Sequence, residues 1–465
     1  MKSDHPGCAI QTLPRADARA GGILHLIIIV LGLIGEVVAA GCSSAPRGSE
    51  VHAWRPQGGN SFVVRDVRVF DGARAIEHAD VVVRAGRIAS VGRGAPTAGL
   101  RVIEGAGRTL LPGLIDAHAH VPREEGLRVA LRFGVTTLLD MFTRIEVMQS
   151  HRAQRDLLRE TDMSDMYSAG APVTSAGGMG TQFGIPFPTI AGPEAAPAFV
   201  RARLGEGSDY IKIMYEPDAG IVTSISAETL AAVVAAAHAQ HVRAIVHVTS
   251  LEGARTVVAA GADGLAHIFG DALIDDALAR KMAAQGMFVT PTLSAFAYLG
   301  GAGDPRPELA ADPRTSPFLT EKQRASLTTP PPGKEDPMAP YLVRFDLAKA
   351  SENVRRLRAA GVRILAGDDA ANFGPHGVSL LGELQLLTRA GLTPAEALEA
   401  ATQAPAEAFG LTGRGRIVAG ARADLVLIDG NPLVDITAMR AIARVFKNGF
   451  EVRRSPGIGR PTDRR

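Results

Sequence analysis

Residues 113–120 read Gly113-Leu-Ile-Asp-Ala-His-Ala-His120, a short apolar run that ends in two histidines two positions apart. Seven further apolar runs follow: Val135-Thr-Thr-Leu-Leu-Asp140, Met166-Tyr-Ser-Ala169, Tyr210-Ile-Lys-Ile-Met214, Arg243-Ala-Ile-Val-His247, Gly264-Leu-Ala-His-Ile268, Met287-Phe-Val-Thr-Pro-Thr292 and Val362-Arg-Ile-Leu-Ala-Gly-Asp-Asp369. Helical signals lie between them. Residues 227–240 are rich in alanine, and Thr393-Pro394-Ala-Glu396 is a Thr N-cap with proline at the first helical position. Alternating strand and helix imply a parallel sheet, and eight repeats predict an α/β fold, a (β/α)8 TIM barrel. The chain ends have a different pattern. Phe62–Gly72 and Asp80–Gly92 are β-branched runs closed by glycine turns, and similar runs return at 415–420, 423–430 and 445–449. They predict one small β-sandwich domain built from both ends, over 61–112 and 407–455, around a barrel over 113–406.

The length of 465 residues suits such a barrel with a smaller satellite. With 46% hydrophobic and 21% charged residues, the composition excludes a chain disordered throughout. Lys and Arg number 50 against 48 Asp and Glu, so no basic excess is available for phosphates and no nucleic-acid partner is expected. Two cysteines exclude a disulfide scaffold and an all-thiolate zinc site.

The first 41 residues read as a signal peptide. Arg15 and Arg19 precede the apolar run Ile23–Ile34, which is too short for a spanning helix of about 20 residues. Val38-Ala-Ala-Gly-Cys42 follows and resembles the lipobox of bacterial lipoproteins, with Ala39 where leucine is usual. Cleavage would remove Cys8 and leave Cys42 as a lipidated N-terminus on a polar linker over 42–60. The expectation is an exported lipoprotein of the bacterial cell envelope, facing the periplasm and held to the membrane through Cys42. The competing reading is an uncleaved anchor helix.

Candidate chemistry sits at the strand ends. His118 and His120, two apart on a strand, share a face and can converge on one cation, although a lone His-x-His is weak evidence. Lys212 lies inside an apolar strand, where a buried ammonium needs an anionic partner or must change chemically. His247 and His267 each follow a short apolar run, and either alone could be a hydrogen-bonded core histidine. Asp368 and Asp369 are adjacent carboxylates that repel unless one turns away or meets a cation. A Gly-x-Ser-x-Gly elbow is absent from the sequence, and neither cysteine lies near the barrel, which argues against a covalent acyl-enzyme. Two Gly/Pro-rich segments, 177–193 and 300–340, are expected to overhang the carboxyl face of the barrel, the second as a candidate lid.

Leu111-Pro-Gly-Leu-Ile-Asp-Ala-His-Ala-His120, Asp209-Tyr-Ile-Lys-Ile213, Ile245-Val-His247, Gly264-Leu-Ala-His267, Ala366-Gly-Asp-Asp-Ala370 and Ala421-Arg-Ala-Asp-Leu-Val426 together resemble the amidohydrolase superfamily, in its imidazolonepropionase-like and prolidase-like group. The resemblance implies two divalent metal ions, usually zinc. His118, His120 and an aspartate would hold the first, and His247 and His267 the second. Lys212, carboxylated by CO2, would bridge them. The family's Gly-Thr-Asp is Gly367-Asp368-Asp369 here, which places the essential aspartate, also the proton acceptor, at Asp369 and an unusual Asp368 at the Thr position. His376 would face the substrate. The implied reaction is cleavage of an amide C–N bond in a small molecule, a dipeptide or N-acyl amino acid, by hydroxide generated at the metals. Alternatives on the same fold are lactone or phosphoester hydrolysis and deamination; Lys212 argues against the last. A non-catalytic scaffold is disfavoured because every ligand position is filled. A homo-oligomer is compatible with the sequence.

Overall fold

The computed structural model describes residues 59–455 apart from 332, 334–338 and 343. The expected leader, Cys42 and nearly all of the expected linker lie outside the described residues. Among the described residues the chain forms sixteen strands in three sheets. From the amino end come β1 (Phe62–Phe70), β2 (Ala75–Arg84), β3 (Arg87–Gly92), β4 (Arg101–Glu104) and β5 (Arg108–Pro112). The middle of the chain supplies β6 (Leu114–Ala119), β7 (Val135–Asp140), β8 (Asp165–Ser168), β9 (Ile211–Met214), β10 (Ala244–His247), β11 (Gly264–Leu265), β12 (Phe288–Val289) and β13 (Arg363–Ile364). The last three are β14 (Leu425–Asp429), β15 (Ile442–Lys447) and β16 (Phe450–Glu451).

Both chain ends contribute to one eight-stranded sheet in the order β16-β15-β14-β5-β1-β2-β3, with β4 alongside β1. Val64, Val67, Val81, Leu110, Leu425 and Phe446 belong to a hydrophobic cluster of its own. The run Asp80–Gly92 divides into the end of β2 and all of β3 at Ala85-Gly86, both with positive φ. Gly86 is required there, because a Cβ would lie 2.6 Å from the Asn448 carbonyl oxygen. One expected strand is absent: residues 415–420 form a turn between two positive-φ glycines, anchored by Ile417 N–H donating to the Asp71 carbonyl. The apolar residues of that run carry a strand signal, yet Ile417 reaches the core from a turn.

The central eight strands are parallel throughout, in sheets β6-β7-β8 and β13-β12-β11-β10-β9. Parallel bridges join the two sheets at both edges, Ala119 to Ala370 and Val173 to Ile213. Parallel neighbours need a crossover, and the helices between the strands provide it. Ile211 and Ile213 of β9 join the main core together with Leu230 and Val233 of helix Ala227–Ala239. The alternate residue Tyr210 joins a separate inner cluster with Ile115, Leu139, Ile245 and Leu365. Lys212 therefore shares the inner face with Tyr210. Helix Pro394–Ala400 opens on Thr393 in a full capping box with Glu396. The segment between β12 and β13 holds several short helices, among them Arg306–Ala311 and Glu321–Leu327.

A buried charge cluster ties the terminal sheet to the central strands. Lys447 Nζ lies 2.7 Å from both Asp165 of β8 and Asp424, and Arg414 meets Asp165 at 2.8 Å. Removing one partner would strand an uncompensated buried charge.

Candidate metal centre and active site

Six of the seven expected site residues gather where β6, β9, β10, β11 and β13 end. The His118 ring lies 4.6 Å from that of His267 and 5.5 Å from that of His120, and His267 lies 4.6 Å from His247. His118, His267 and Asp369 each offer a ligand atom within 4.8 Å of the others. Asp369 Oδ1 stands 3.0 Å from His120 Nε2 and 3.6 Å from His118 Nε2. Backbone approach makes this possible: a Cβ at Gly367 would sit 2.6 Å from the His118 amide nitrogen, so only glycine lets β13 come this close to β6.

Hydrogen bonding fixes which ring nitrogens face the centre. His120 Nδ1 is 3.3 Å from the Phe142 carbonyl, which can only accept, so Nδ1 carries the hydrogen. The Thr292 hydroxyl donates to the Pro291 carbonyl and therefore accepts from His267 Nδ1, 2.7 Å away. In both rings Nε2 is left with its lone pair. At His120 that lone pair faces a carboxylate oxygen, an arrangement stable only with a proton or a cation between them.

Burial sets the protonation states. It pushes His118 and His267 well below the usual imidazole range, reinforced by the nearby Lys212 and neighbouring histidines, so both are neutral and ready to ligate. Burial also opposes charge on His120, but Asp369 outweighs it and raises that ring's pKa. Lys212, 2% exposed, is brought down to about 7 by burial, with Asp369 opposing. Its Nζ has no hydrogen-bond partner among the described residues, and the same holds for His118 Nδ1 and His247 Nε2. Such a collection of buried donors and lone pairs fits divalent cations better than it fits a packed core.

The adjacent aspartates point apart. Asp369 adopts a left-handed φ of +57°, donates its backbone N–H to the His118 carbonyl and accepts Asn372 Nδ2 at 3.0 Å. Asp368 caps its own turn, accepting Ala370 N–H at 2.9 Å, and lies against Asp116. Burial raises Asp368 to about 7, and burial with the charge of Asp368 raises Asp116 well above the carboxylate range. The pair holds a proton near neutrality.

His376 stands apart from the six. It is buried, its Nε2 donates to the His120 carbonyl oxygen at 2.7 Å, and its ring packs on Gly126. That bond braces the strand end that carries His120. Burial lowers its pKa to about 4. An unfolded histidine protonates near 6.5, so between pH 6.5 and 4 the unfolded chain binds the extra proton. The stability this neutral ring contributes is complete above pH 6.5 and is lost as pH falls through 4. In metal-free protein, wild type should lose about 3 kcal/mol more over that interval than His376→Gln, measured by urea unfolding. Equal losses would refute the assignment.

Two further residues at the site lie outside the sequence motifs. Thr292, with φ +52°, orients His267. Glu216, four residues beyond Lys212, lies 3.3 Å from His247. The Lys-x-Met-x-Glu alternation of 212–216 was the available clue.

The sequence profile of the amidohydrolase family matches residues 109–452, well over half of the chain. The chain belongs to the amidohydrolase family. It is an enzyme acting on carbon–nitrogen bonds, and its substrate is a small molecule. This amidohydrolase is 26% identical over 328 residues to an uncharacterized protein of Mycobacterium tuberculosis, covering 66% of this chain and 75% of that protein. In fold it is similar to a Xaa-Pro dipeptidase crystallised with methionine in its active site, with a TM-score of 0.67, 21% identity and coverage of 84% and 99% of the two chains. It is also similar to molinate hydrolase, with a TM-score of 0.66, 21% identity and coverage of 85% and 95%. These likenesses establish a TIM-barrel-type α/β fold for the amidohydrolase.

Proposed function

We propose that this amidohydrolase is a binuclear metal-dependent hydrolase of the amide bond in a dipeptide or N-acyl amino acid. The observation that carries the reading is the convergence of His118, His120, His267 and Asp369, with Nδ1 of His120 and of His267 engaged so that each Nε2 keeps its lone pair, that of His120 facing Asp369. His118, His120 and Asp369 would hold one ion, and His247 and His267 the other. Zinc suits the imidazole-rich donor set. Such ions lower the pKa of water and polarise a carbonyl. Asp369, held by Asn372, would accept the proton from the attacking water and return it to the leaving nitrogen. Lys212, its pKa brought down to about 7, is substantially a neutral amine near neutrality. Its nitrogen could bond CO2 carbon with loss of one proton, and the resulting carbamate would supply an anion to the cations held there. The bridges at both sheet edges support closure of the eight strands into a barrel over 113–406, with the terminal sheet folded over its own core as a sandwich over 61–112 and 407–455. The leader pattern supports export and lipid anchoring through Cys42.

Elemental analysis of protein purified without chelators should give about two divalent ions per chain. The same protein should hydrolyse members of a dipeptide and N-acyl amino acid panel. A value near zero in folded protein would overturn the binuclear reading, and activity confined to lactone, phosphoester or deamination arms would overturn the amide reading.

A further inference from the structure

Glu216 follows β9 and is buried, its side chain 1% exposed. Its two oxygens have different surroundings. Oε2 accepts the Thr249 hydroxyl at 3.0 Å and faces Arg344 Nη1 at 3.5 Å. Arg344 comes from the long segment between β12 and β13 and also donates to the Asp218 carbonyl, so it holds the same carboxylate oxygen as Thr249. Among the described residues Oε1 has no hydrogen-bond partner, and it stands 3.3 Å from His247 Nε2, which has none there either. Two orphaned, buried ligand-type atoms thus face one another within the cluster.

The separation is informative. Two ligand atoms each about 2.0–2.2 Å from a tetrahedral cation lie roughly 3.3–3.6 Å from each other. The His120–Asp369 and His118–Asp369 separations of 3.0 and 3.6 Å span the same range. We propose that Glu216 Oε1 is a ligand of the cation held by His247, giving that position a carboxylate of its own, independent of any anion on Lys212. The inference rests on the two-ion reading above. Thr249 and Arg344 serve as positioning residues by occupying Oε2 and leaving Oε1 for the ion.

Calorimetric titration of the metal-free full chain with Zn2+, in buffer depleted of CO2 and in buffer with bicarbonate, tests this. Wild type should bind two ions in both buffers. Glu216→Gln, with its fold checked by circular dichroism, should bind the first ion normally and the second at least about tenfold more weakly, with the loss greatest without CO2. Two ions at unchanged affinity in Glu216→Gln would overturn the proposal. If that variant does not fold, wild type alone decides: a second ion lost without CO2 and restored by bicarbonate overturns it, and a second ion retained without CO2 supports it. Fewer than two ions on wild type in both buffers would instead defeat the binuclear reading itself.

Discussion

Lys212→Ala should lower kcat/KM by about three orders of magnitude or more, and acetate or propionate with added Zn2+ should restore part of it. Electrostatic stabilisation by properly held metal ions is worth several kcal/mol in a transition state, and about 1.4 kcal/mol corresponds to each factor of ten. Lys212 Nζ is buried on the inner face of β9 beside His118 and His267, with no hydrogen-bond partner among the described residues. Alanine would leave a gap the size of a short carboxylic acid in a site where burial holds His118 and His267 neutral. A small carboxylate could enter and supply the missing anion. Lysine in a purely structural role would predict lost stability without chemical rescue. Full activity of the alanine variant without added acid would contradict a bridging role.

Asp369→Asn should cost about 10²–10⁴ in kcat/KM, the usual contribution of a positioned proton acceptor. Asn keeps the shape and the left-handed backbone at φ +57°, which it tolerates, but removes the charge facing His118 and His120. Metal affinity should fall with it. Asp368→Thr should retain most activity, because Asp368 turns towards Ala370 N–H and Asp116 rather than towards the histidines. A hydroxyl there can donate to Asp116 and ends the contact of two buried carboxyls. kcat/KM for both variants on one substrate checks this. If Asp368→Thr is inactive and Asp369→Asn active, the acceptor is Asp368.

The eight central strands were legible in the sequence because strand propensity and glycine punctuation are local: a run such as Tyr210–Met214 carries its own β-branched and apolar signal. The same holds for the Thr393 cap and for the His118–His120 spacing, which put two imidazoles on one face whatever surrounds them. The loss of the expected strand at 415–420 shows the limit of such signals, since Ile417 is as apolar in a turn as in a strand and only its hydrogen bond to Asp71 tells them apart. Tertiary structure alone decided the rest. Asp369 was already marked by its match to the family pattern, but whether His376 braces a strand or stands free depends on how closely Gly126 lets it approach. The placement of Glu216 against His247 depends on pairing β9 with β10, in which His247 lies beside Met214. Local periodicity gives each strand its faces, but the meeting of atoms from different strands is fixed by non-local pairing and by burial, which also determines which polar atoms are left without partners.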